Sequence, residues 1–214
     1  KGIYKGEGYN SNTEPLFKEE NEQKKYEEAE RAAPMEASVA ANLQRFSLLG
    51  VKAQGVDKEL LEKAQTMESE GTDADTIWSE TGFVKSPHDN KWRWEVSNKD
   101  VDISPHLAKI PGNAGTTELG NIRGIQNVLD AYPSITKTPV NLLKAAKSPK
   151  GVNGALSFMS NEDGSKGDPV IQLFNVDNKA PEEVNRTLVH EVQHLIQEQE
   201  GFDEGSNPRE GGKK

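Results

Sequence analysis

The most strongly patterned segment of the chain reads Arg186-Thr187-Leu188-Val189-His190-Glu191-Val192-Gln193-His194-Leu195-Ile196-Gln197. It contains a His-Glu-x-x-His motif formed by His190, Glu191 and His194. Two histidines four residues apart lie on one face of a helix, one turn from each other. Both imidazoles can then bind a single metal ion, and the glutamate is placed to act on a water molecule held there. The motif therefore predicts a metal site on a helix.

The surrounding residues predict which face of this helix is buried. On a helical wheel with His190 at zero, His194 falls about 40° away and Glu191 about 100° away. The apolar positions cluster largely on the opposite side: Val184, Leu188, Val192 and Leu195, with Val189 and Ile196 at the shoulder of the cluster. We therefore expect a helix from Pro181 to about Glu200, ended by Gly201, with one face against a sheet and the histidines facing a cleft.

Zinc is the metal that this motif predicts, and a catalytic zinc site has three protein ligands and one open position. The third ligand is expected where the chain turns back after the helix, and its candidates are Glu200, Asp203, Glu204 and, more distantly, Glu210. Glu200 has the spacing from the second histidine that several zinc peptidases use, although those enzymes usually have glycine where this chain has Gln197. Glu204, three residues past Gly201, is the alternative.

Composition excludes several classes of protein. The chain has 214 residues, a length that suggests one domain with an appended arm. Hydrophobic residues make up 33% and charged residues 29%, and the net charge is -9. We do not expect nucleic-acid binding, because proteins that follow phosphates usually present a basic face. The absence of cysteine excludes disulfides, thiolate ligands and a cysteine nucleophile. No signal peptide or long apolar run is visible, so we expect no membrane span.

Residues 1–55 are predicted to be a charged arm or linker, partly helical, and residues 56–214 to form the domain. Within the arm, residues 18–31 combine helix-forming residues and opposite charges at helical spacing, but offer little to bury. Residues 34–50 carry spaced apolar residues and predict a short amphipathic helix that ends at Gly50.

The domain is predicted to be mixed, with helices first, strands in the middle and the motif helix last. Two helices are expected at residues 57–70 and after a capping box at residues 72–75. A hairpin is expected from residues 83–84 and 91–96. The remaining elements are, in order, irregular chain at 101–124, a helix at 125–132, and strands at 139–143, 154–159 and 168–176. This order predicts an α+β fold with a small mixed or antiparallel sheet packed on the motif helix.

The strand at residues 168–176 precedes the motif helix directly. We predict that it is a sheet edge that pairs with an extended peptide substrate, with Gln172 and Asn175 in contact with that substrate. A simple surface role is the other interpretation of these two polar residues, and the sequence favours it.

Two tryptophans in the predicted hairpin allow two interpretations. Trp92 and Trp94 alternate with the charged residues Lys91, Arg93 and Glu95. Such rings beside basic residues can stack nucleic-acid bases. The alternation, however, directs apolar and charged side chains to opposite faces, and the protein is acidic, so we favour packing in the core.

Three segments together resemble a known family. They are Ile77-Trp78-x-x-Thr81-Gly82-Phe83, Lys91-Trp92-Arg93-Trp94-Glu95 and His190-Glu-Val-Gln-His-Leu-Ile-Gln-x-x-Glu-Gly-Phe202. Their combination resembles a phage and prophage family of large polyvalent protein-associated domains, over residues 55 to 208. Members of that family occur in long multidomain proteins of phages and conjugative elements.

The resemblance implies a zincin-like metallopeptidase fold. It also implies that Gln193, Gln197, Glu200 and Gly201 belong to the extended pattern of the family, and this moves the expectation toward Glu200 as third ligand. Because the chain starts at Lys1 and not at Met, we further expect a fragment, a processed product or an excised domain of a longer protein.

We therefore expect a phage-associated zinc metallopeptidase-like domain. Its Zn²⁺ would be held by His190, His194 and Glu200, and Glu191 would be the general base for peptide-bond hydrolysis. Expected partners are a protein or peptide substrate, the parent multidomain phage protein and virion components, in the virion or the host bacterial cytoplasm. The alternative is a non-catalytic virion, scaffold or interaction module that retains the fold. A weaker third hypothesis is a nucleic-acid-associated internal protein that uses the two hairpin tryptophans.

Overall fold

The computed structural model describes residues 46–144 and 152–202. The chain divides into two units, Lys1–Asn42 and Leu43–Lys214, and every described residue belongs to the second. The helix predicted at residues 18–31 lies outside the described residues. Within the described ranges, no helix combines the length and the apolar character that crossing a membrane requires.

The described residues form a mixed α+β structure with two small sheets. The α-helices are α1 (Lys58–Ser69), α2 (Ala74–Thr81), α3 (Ser104–Leu107), α4 (Gln126–Ala131) and α5 (Pro181–Glu200). The strands are β1 (Phe46–Leu49), β2 (Phe83–Lys85), β3 (Trp92–Ser97), β4 (Ala114–Glu118), β5 (Pro139–Leu143), β6 (Gly154–Ser160) and β7 (Lys166–Phe174). Single 3-10 turns occur at Leu119–Asn121, Pro133–Ile135 and Val176–Asn178.

The first sheet is antiparallel, in the order β1-β3-β2. Trp94 on β3 pairs with Phe83 on β2, which confirms the predicted hairpin, and with Leu49 on β1. The amphipathic helix predicted to end at Gly50 is wrong for residues 46–49, because pairing with β3 holds them extended; residues 34–45 lie outside the described residues. β1 lies in the segment predicted to be a charged arm or linker, and its pairing with β3 joins it to this sheet.

Helices α1 and α2 pack together and follow their sequence signals closely. Asp57 caps α1 by accepting a hydrogen bond from the backbone of Leu60, at 3.0 Å. Asp73 caps α2 in the same way through Thr76, also at 3.0 Å. Gly82 ends α2 in the left-handed conformation, with φ of 73°, which glycine adopts without the steric cost of a side chain. Both predicted helices are confirmed.

The second sheet has the order β4-β5-β7-β6. β5 and β7 are parallel, and the two outer strands are antiparallel to their neighbours. The predicted edge role of residues 168–176 is therefore wrong: β7 is central, and β6 is the outer strand beside it. β5, β6 and β7 were predicted, but the lateral order of the sheet depends on the parallel pairing of β5 with β7, which distance along the chain does not reveal.

Helix α5 lies against both sheets, in contact with β6, β7 and β1. The apolar face that the wheel predicted is buried in the main core: Val184, Leu188, Val189, Val192, Leu195 and Ile196 are each at most 3% exposed. The helix ends at Gly201, with φ of 67°. The predicted bounds of the motif helix and its predicted buried face are thus confirmed.

The segment at residues 101–124, predicted to be irregular, contains α3 and β4. β4 reads Ala-Gly-Thr-Thr-Glu and has no large apolar residue to signal a strand. It forms by pairing with β5, at the outer side of the second sheet. This strand was missed because its stability comes from its neighbour and not from its own composition.

Gln193, inside the motif helix, joins that helix to the first sheet. Its side-chain oxygen accepts from the backbone amide of Leu48 at 2.8 Å, and its side-chain amide donates to the Leu48 carbonyl at 3.0 Å. Gln193 is 5% exposed. The side chain therefore makes the two hydrogen bonds to Leu48 that the backbone of a neighbouring strand would make, although Gln193 lies on a helix.

We expect Gln193→Ala to lower the free energy of unfolding by about 2 kcal/mol, because both polar groups of Leu48 lose their partner. The measurement is the midpoint of urea unfolding. Gln199→Ala, an exposed glutamine on the same helix, is the matched control and should change stability by less than about 0.5 kcal/mol. Equal effects of the two substitutions would contradict the role of Gln193.

Candidate functional site

His190 and His194 meet on the solvent side of α5. Their Nε2 atoms are 3.1 Å apart, and their ring centroids are 4.6 Å apart at an interplanar angle of 81°. His190 is exposed and His194 is half-buried. The helix thus directs the same nitrogen of both rings to one point, as the spacing of the motif predicts.

This distance fits a shared zinc ion. With Zn–N bonds of about 2.05 Å, nitrogens 3.1 Å apart subtend an angle of about 98° at the metal, close to the tetrahedral angle. Without a metal, one Nε2 must donate a hydrogen to the other. The two histidines therefore provide half of a tetrahedral site without any movement of the helix.

Gln197 sets the tautomer of His194. The Nδ1–H of His194 donates to the Gln197 side-chain oxygen at 2.8 Å, which leaves Nε2 with its lone pair in the neutral ring. A ligating histidine commonly donates its second nitrogen in this way. His190 is exposed overall, but its imidazole is partly desolvated. This desolvation is the larger cause, and the neighbouring His194 the smaller one, of a lowered pKa of the His190 imidazole, which favours the neutral form that binds metals.

Glu191 faces β6 instead of solvent. It is 5% exposed, and burial raises the pKa of its carboxyl, while the charge of His194 and the backbone amide of Leu156 act in the opposite direction. Gly154, at the start of β6, allows this approach: a Cβ there would lie 2.7 Å from Oε1 of Glu191 and 2.7 Å from Cγ2 of Thr187. The carboxylate therefore lies in close contact with β6 at Gly154.

The carboxylate of Glu200 is hydrogen-bonded to groups away from the two histidines. Its Oε1 accepts from the hydroxyl of Tyr132 at 2.7 Å, and its carboxylate accepts from the backbone amide of Lys52 at 3.1 and 3.2 Å. Glu200 is 4% exposed, so these bonds are shielded from water. Burial, together with the hydrogen bond to Glu200, raises the pKa of Tyr132. The sequence favoured Glu200 as third ligand, but its carboxylate already closes a buried network between the end of α5 and the chain after β1.

The other candidates for the third ligand, Asp203, Glu204 and Glu210, lie outside the described residues. Within residues 46–144 and 152–202, no group of three His, Asp or Glu side chains is arranged to hold a metal ion. The described part of the chain thus supplies the two histidines and the buried glutamate of the motif.

The two predicted substrate contacts lie on and after β7. Gln172 pairs with Asn141 on one side and Ala155 on the other, so its backbone is already bonded within the sheet. Asn175 follows the strand in the left-handed conformation, with φ of 54°, and begins the turn toward α5. A central strand has no free edge for a peptide, so the geometry that motivated this prediction is absent at β7.

The hairpin tryptophans pack as the alternation predicts. Trp92 is 8% exposed in a small core with Ala64, Ile77 and Phe83. Trp94 is half-buried, and its indole nitrogen donates to the carbonyl of Gly50 at 3.0 Å. The core interpretation is confirmed for Trp92.

Sequence reasoning missed the polar residues that join α5 to the rest of the domain. Glu200 was considered only as a metal ligand, and Gln193 entered only through the resemblance, whereas the structure gives each a hydrogen-bond partner on or just after β1. Their place on the helical wheel, at about 280–300° and next to the shoulder formed by Val189 and Ile196, was the available signal. Tyr132 gave no sequence signal, because a single tyrosine after a short helix is compatible with many roles.

Comparisons with known proteins bear on the first part of the domain. Residues 46–104, little more than a quarter of the chain, match the family model described as large polyvalent protein associated domain 23. The match includes both sequence blocks around Trp78 and Trp92 and ends well before the histidines of α5. This segment is therefore similar to that family of domains. No curated protein matches the chain, and no solved structure does.

Proposed function

We propose that the chain is a zincin-like metallopeptidase domain in which His190 and His194 bind Zn²⁺ and Glu191 acts as general base. The observation that carries the proposal is the convergence of the two Nε2 atoms to 3.1 Å, with Glu191 next to His190 on the same helix. Zinc, when bound, would polarise the scissile carbonyl and activate a water molecule.

Glu191 would perform the proton transfers. It takes a proton from the attacking water as oxygen adds to the carbonyl carbon, and it gives that proton to the amide nitrogen as the C–N bond breaks. Its burial suits this role, because a carboxyl whose pKa is raised toward the working pH both accepts and returns a proton more readily. Gly154 keeps the carboxylate against β6, and Gln197 keeps Nε2 of His194 available.

The strand β6 would bind the substrate. In the described residues it pairs with β7 on one side and has no strand on the other. An extended peptide can add to such an edge through its backbone. Since Glu191 contacts Gly154 at the start of β6, a peptide held there would pass beside the general base. β6 therefore takes the role that the sequence gave to β7.

We assign the third metal position to Glu204, because the carboxylate of Glu200 is held by Tyr132 and Lys52. Glu204 follows Gly201, where the chain leaves the helix. We expect Glu204→Gln to weaken zinc binding by at least about tenfold. Loss of a residue that only hydrogen-bonds a metal ligand already weakens metal binding by about 10–100-fold, so loss of a ligand should cost at least the lower value.

Glu200→Gln is the matched control for this assignment. Glutamine keeps one oxygen acceptor for Tyr132 and Lys52. The zinc dissociation constant should therefore stay within about threefold of that of the unchanged protein, well below the loss of about tenfold or more expected for Glu204→Gln. Competition with a fluorescent chelator measures both variants. If Glu200→Gln weakens zinc binding and Glu204→Gln does not, Glu200 leaves its buried network to bind the metal and the assignment is wrong.

The proposed reaction is tested with a fluorogenic peptide library. We expect hydrolysis in the presence of zinc, loss of hydrolysis after chelation, and recovery when zinc is returned. Hydrolysis that persists after complete removal of metal would contradict the proposal.

The second candidate is a non-catalytic virion, scaffold or interaction module. The observation behind it is that the carboxylate of Glu200, the third ligand favoured by the sequence, is hydrogen-bonded to Tyr132 and to the backbone of Lys52. Under this alternative, purified protein holds no zinc and cuts no member of the library. The name of the matched family, large polyvalent protein associated domain, supports a larger polyvalent protein as the setting of either candidate. We propose that this is a multidomain phage protein in the virion or the host cytoplasm.

A further inference from the structure

A groove lies in the segment that matches the polyvalent-protein family, between α1, α2 and the β2–β3 hairpin. Its volume is about 620 Å³, within the range of about 300–1,000 Å³ usual for ligand sites. Trp78, Leu60 and Trp94 provide its apolar surface. The histidines of α5 do not line it, so the groove is separate from the proposed metal site.

Trp78 is unusually accessible for its position. It is 48% exposed, whereas its neighbour Ile77 is 4% exposed and anchors α2 in the core. Leu60, on α1, is 37% exposed. Among the described residues only four large hydrophobic side chains are exposed, and these two share one groove. Apolar side chains grouped in a concave surface commonly mark a site for a partner.

The groove is also acidic. Asp57, Glu80 and Glu95 line it, and no lysine or arginine does. The carboxyl end of α2 forms one wall and has no basic residue in its last turn, so the helix dipole adds partial negative charge there.

The three carboxylates differ in how well they are neutralised. Glu80 is paired with Lys63 at 2.7 Å, and Asp57 caps α1. Glu95 has no ion pair among the described residues, and burial raises the pKa of its carboxyl. A cation in the groove would offset the cost of burying this charge.

We propose that this groove binds a basic segment of another polypeptide, with an arginine or lysine side chain over the ring of Trp78 and an adjacent apolar side chain against Leu60. Tryptophan is the aromatic ring that binds cations best, and the acidic lining excludes anionic partners such as nucleic acid. The function assigned is recognition of basic peptides by the family-like part of the chain, independent of zinc.

The test is fluorescence anisotropy with a fluorescein-labelled peptide of Arg-Gly-Leu repeats. The protein is the full chain with its metal removed. We expect saturable binding of this peptide, and none of a peptide with glutamate in place of arginine or of a short single-stranded DNA. Binding of the acidic peptide or the DNA with equal affinity, or no binding of the basic peptide, would overturn the proposal.

Two pairs of variants locate the binding. Trp78→Ala should weaken it about tenfold, while Val51→Ala, a similarly exposed apolar residue that does not line the groove, should leave it unchanged. Glu95→Gln should weaken it about threefold, while the exposed Glu62→Gln should not. Circular dichroism checks that each variant is folded, and the indole NMR signal of Trp78 should shift on addition of the basic peptide. Equal effects of site and control variants would mean that the peptide binds elsewhere.

Discussion

Glu191→Gln is expected to abolish peptide hydrolysis and to leave zinc binding intact. Glutamine fills the same space beside Gly154 but cannot accept the proton of the attacking water, so the rate should fall by about 10²–10⁴-fold. The measurement is kcat/KM for the best substrate of the peptide library, together with zinc content.

Glu182→Gln is the matched control for this prediction. Glu182 lies in the first turn of the same helix and is exposed, so its substitution should change neither rate nor zinc content. If Glu191→Gln retained full activity, another group would be the base. If it lost its zinc, Glu191 would be a ligand.

Gly50→Ala is expected to destabilise the protein by about 3 kcal/mol. A Cβ at Gly50 would lie 2.3 Å from both Cδ and Oε2 of Glu200, so the buried carboxylate must move. The Tyr132 hydroxyl and the Lys52 amide then lose their acceptor, at about 1–3 kcal/mol for each buried group. Chemical denaturation of the metal-free protein measures this loss.

A double-mutant cycle shows whether the loss passes through Glu200. Glu200→Ala alone should cost about as much as Gly50→Ala, because it removes the same acceptor. Once Glu200 is removed, the alanine at position 50 meets no carboxylate, so the double variant should cost little more than either single variant. We expect a coupling energy of about 2–3 kcal/mol. Additive effects would contradict this network.

The local patterns of the chain predicted its elements well. The apolar arc of α5 was readable because 3.6-residue periodicity places those side chains on one face, and the whole arc is buried. The caps of α1 and α2 and the β2–β3 hairpin were readable for the same reason, since their signals lie within a few residues of each other. The convergence of His190 and His194 follows directly from helical spacing.

Interactions between distant parts of the chain could not be predicted from the sequence. β1 is extended because it pairs with β3, and β4 is extended because it pairs with β5. β7 is central because β5 and β6 flank it. Glu200 looked like a metal ligand by spacing, but its partners lie 148 and 68 residues away along the chain. Sequence spacing reports which residues share a helix face, whereas the partner of a buried carboxylate depends on tertiary packing.

The central claim is that one zinc ion lies between the two histidines of α5. Anomalous scattering at the zinc edge, from crystals grown with the metal, tests it directly. We expect one peak per chain, about 2.0–2.1 Å from Nε2 of His190 and Nε2 of His194, and its loss in His190→Ala. A crystal with excess zinc and no peak at this position would contradict the account, as would a peak that survives His190→Ala.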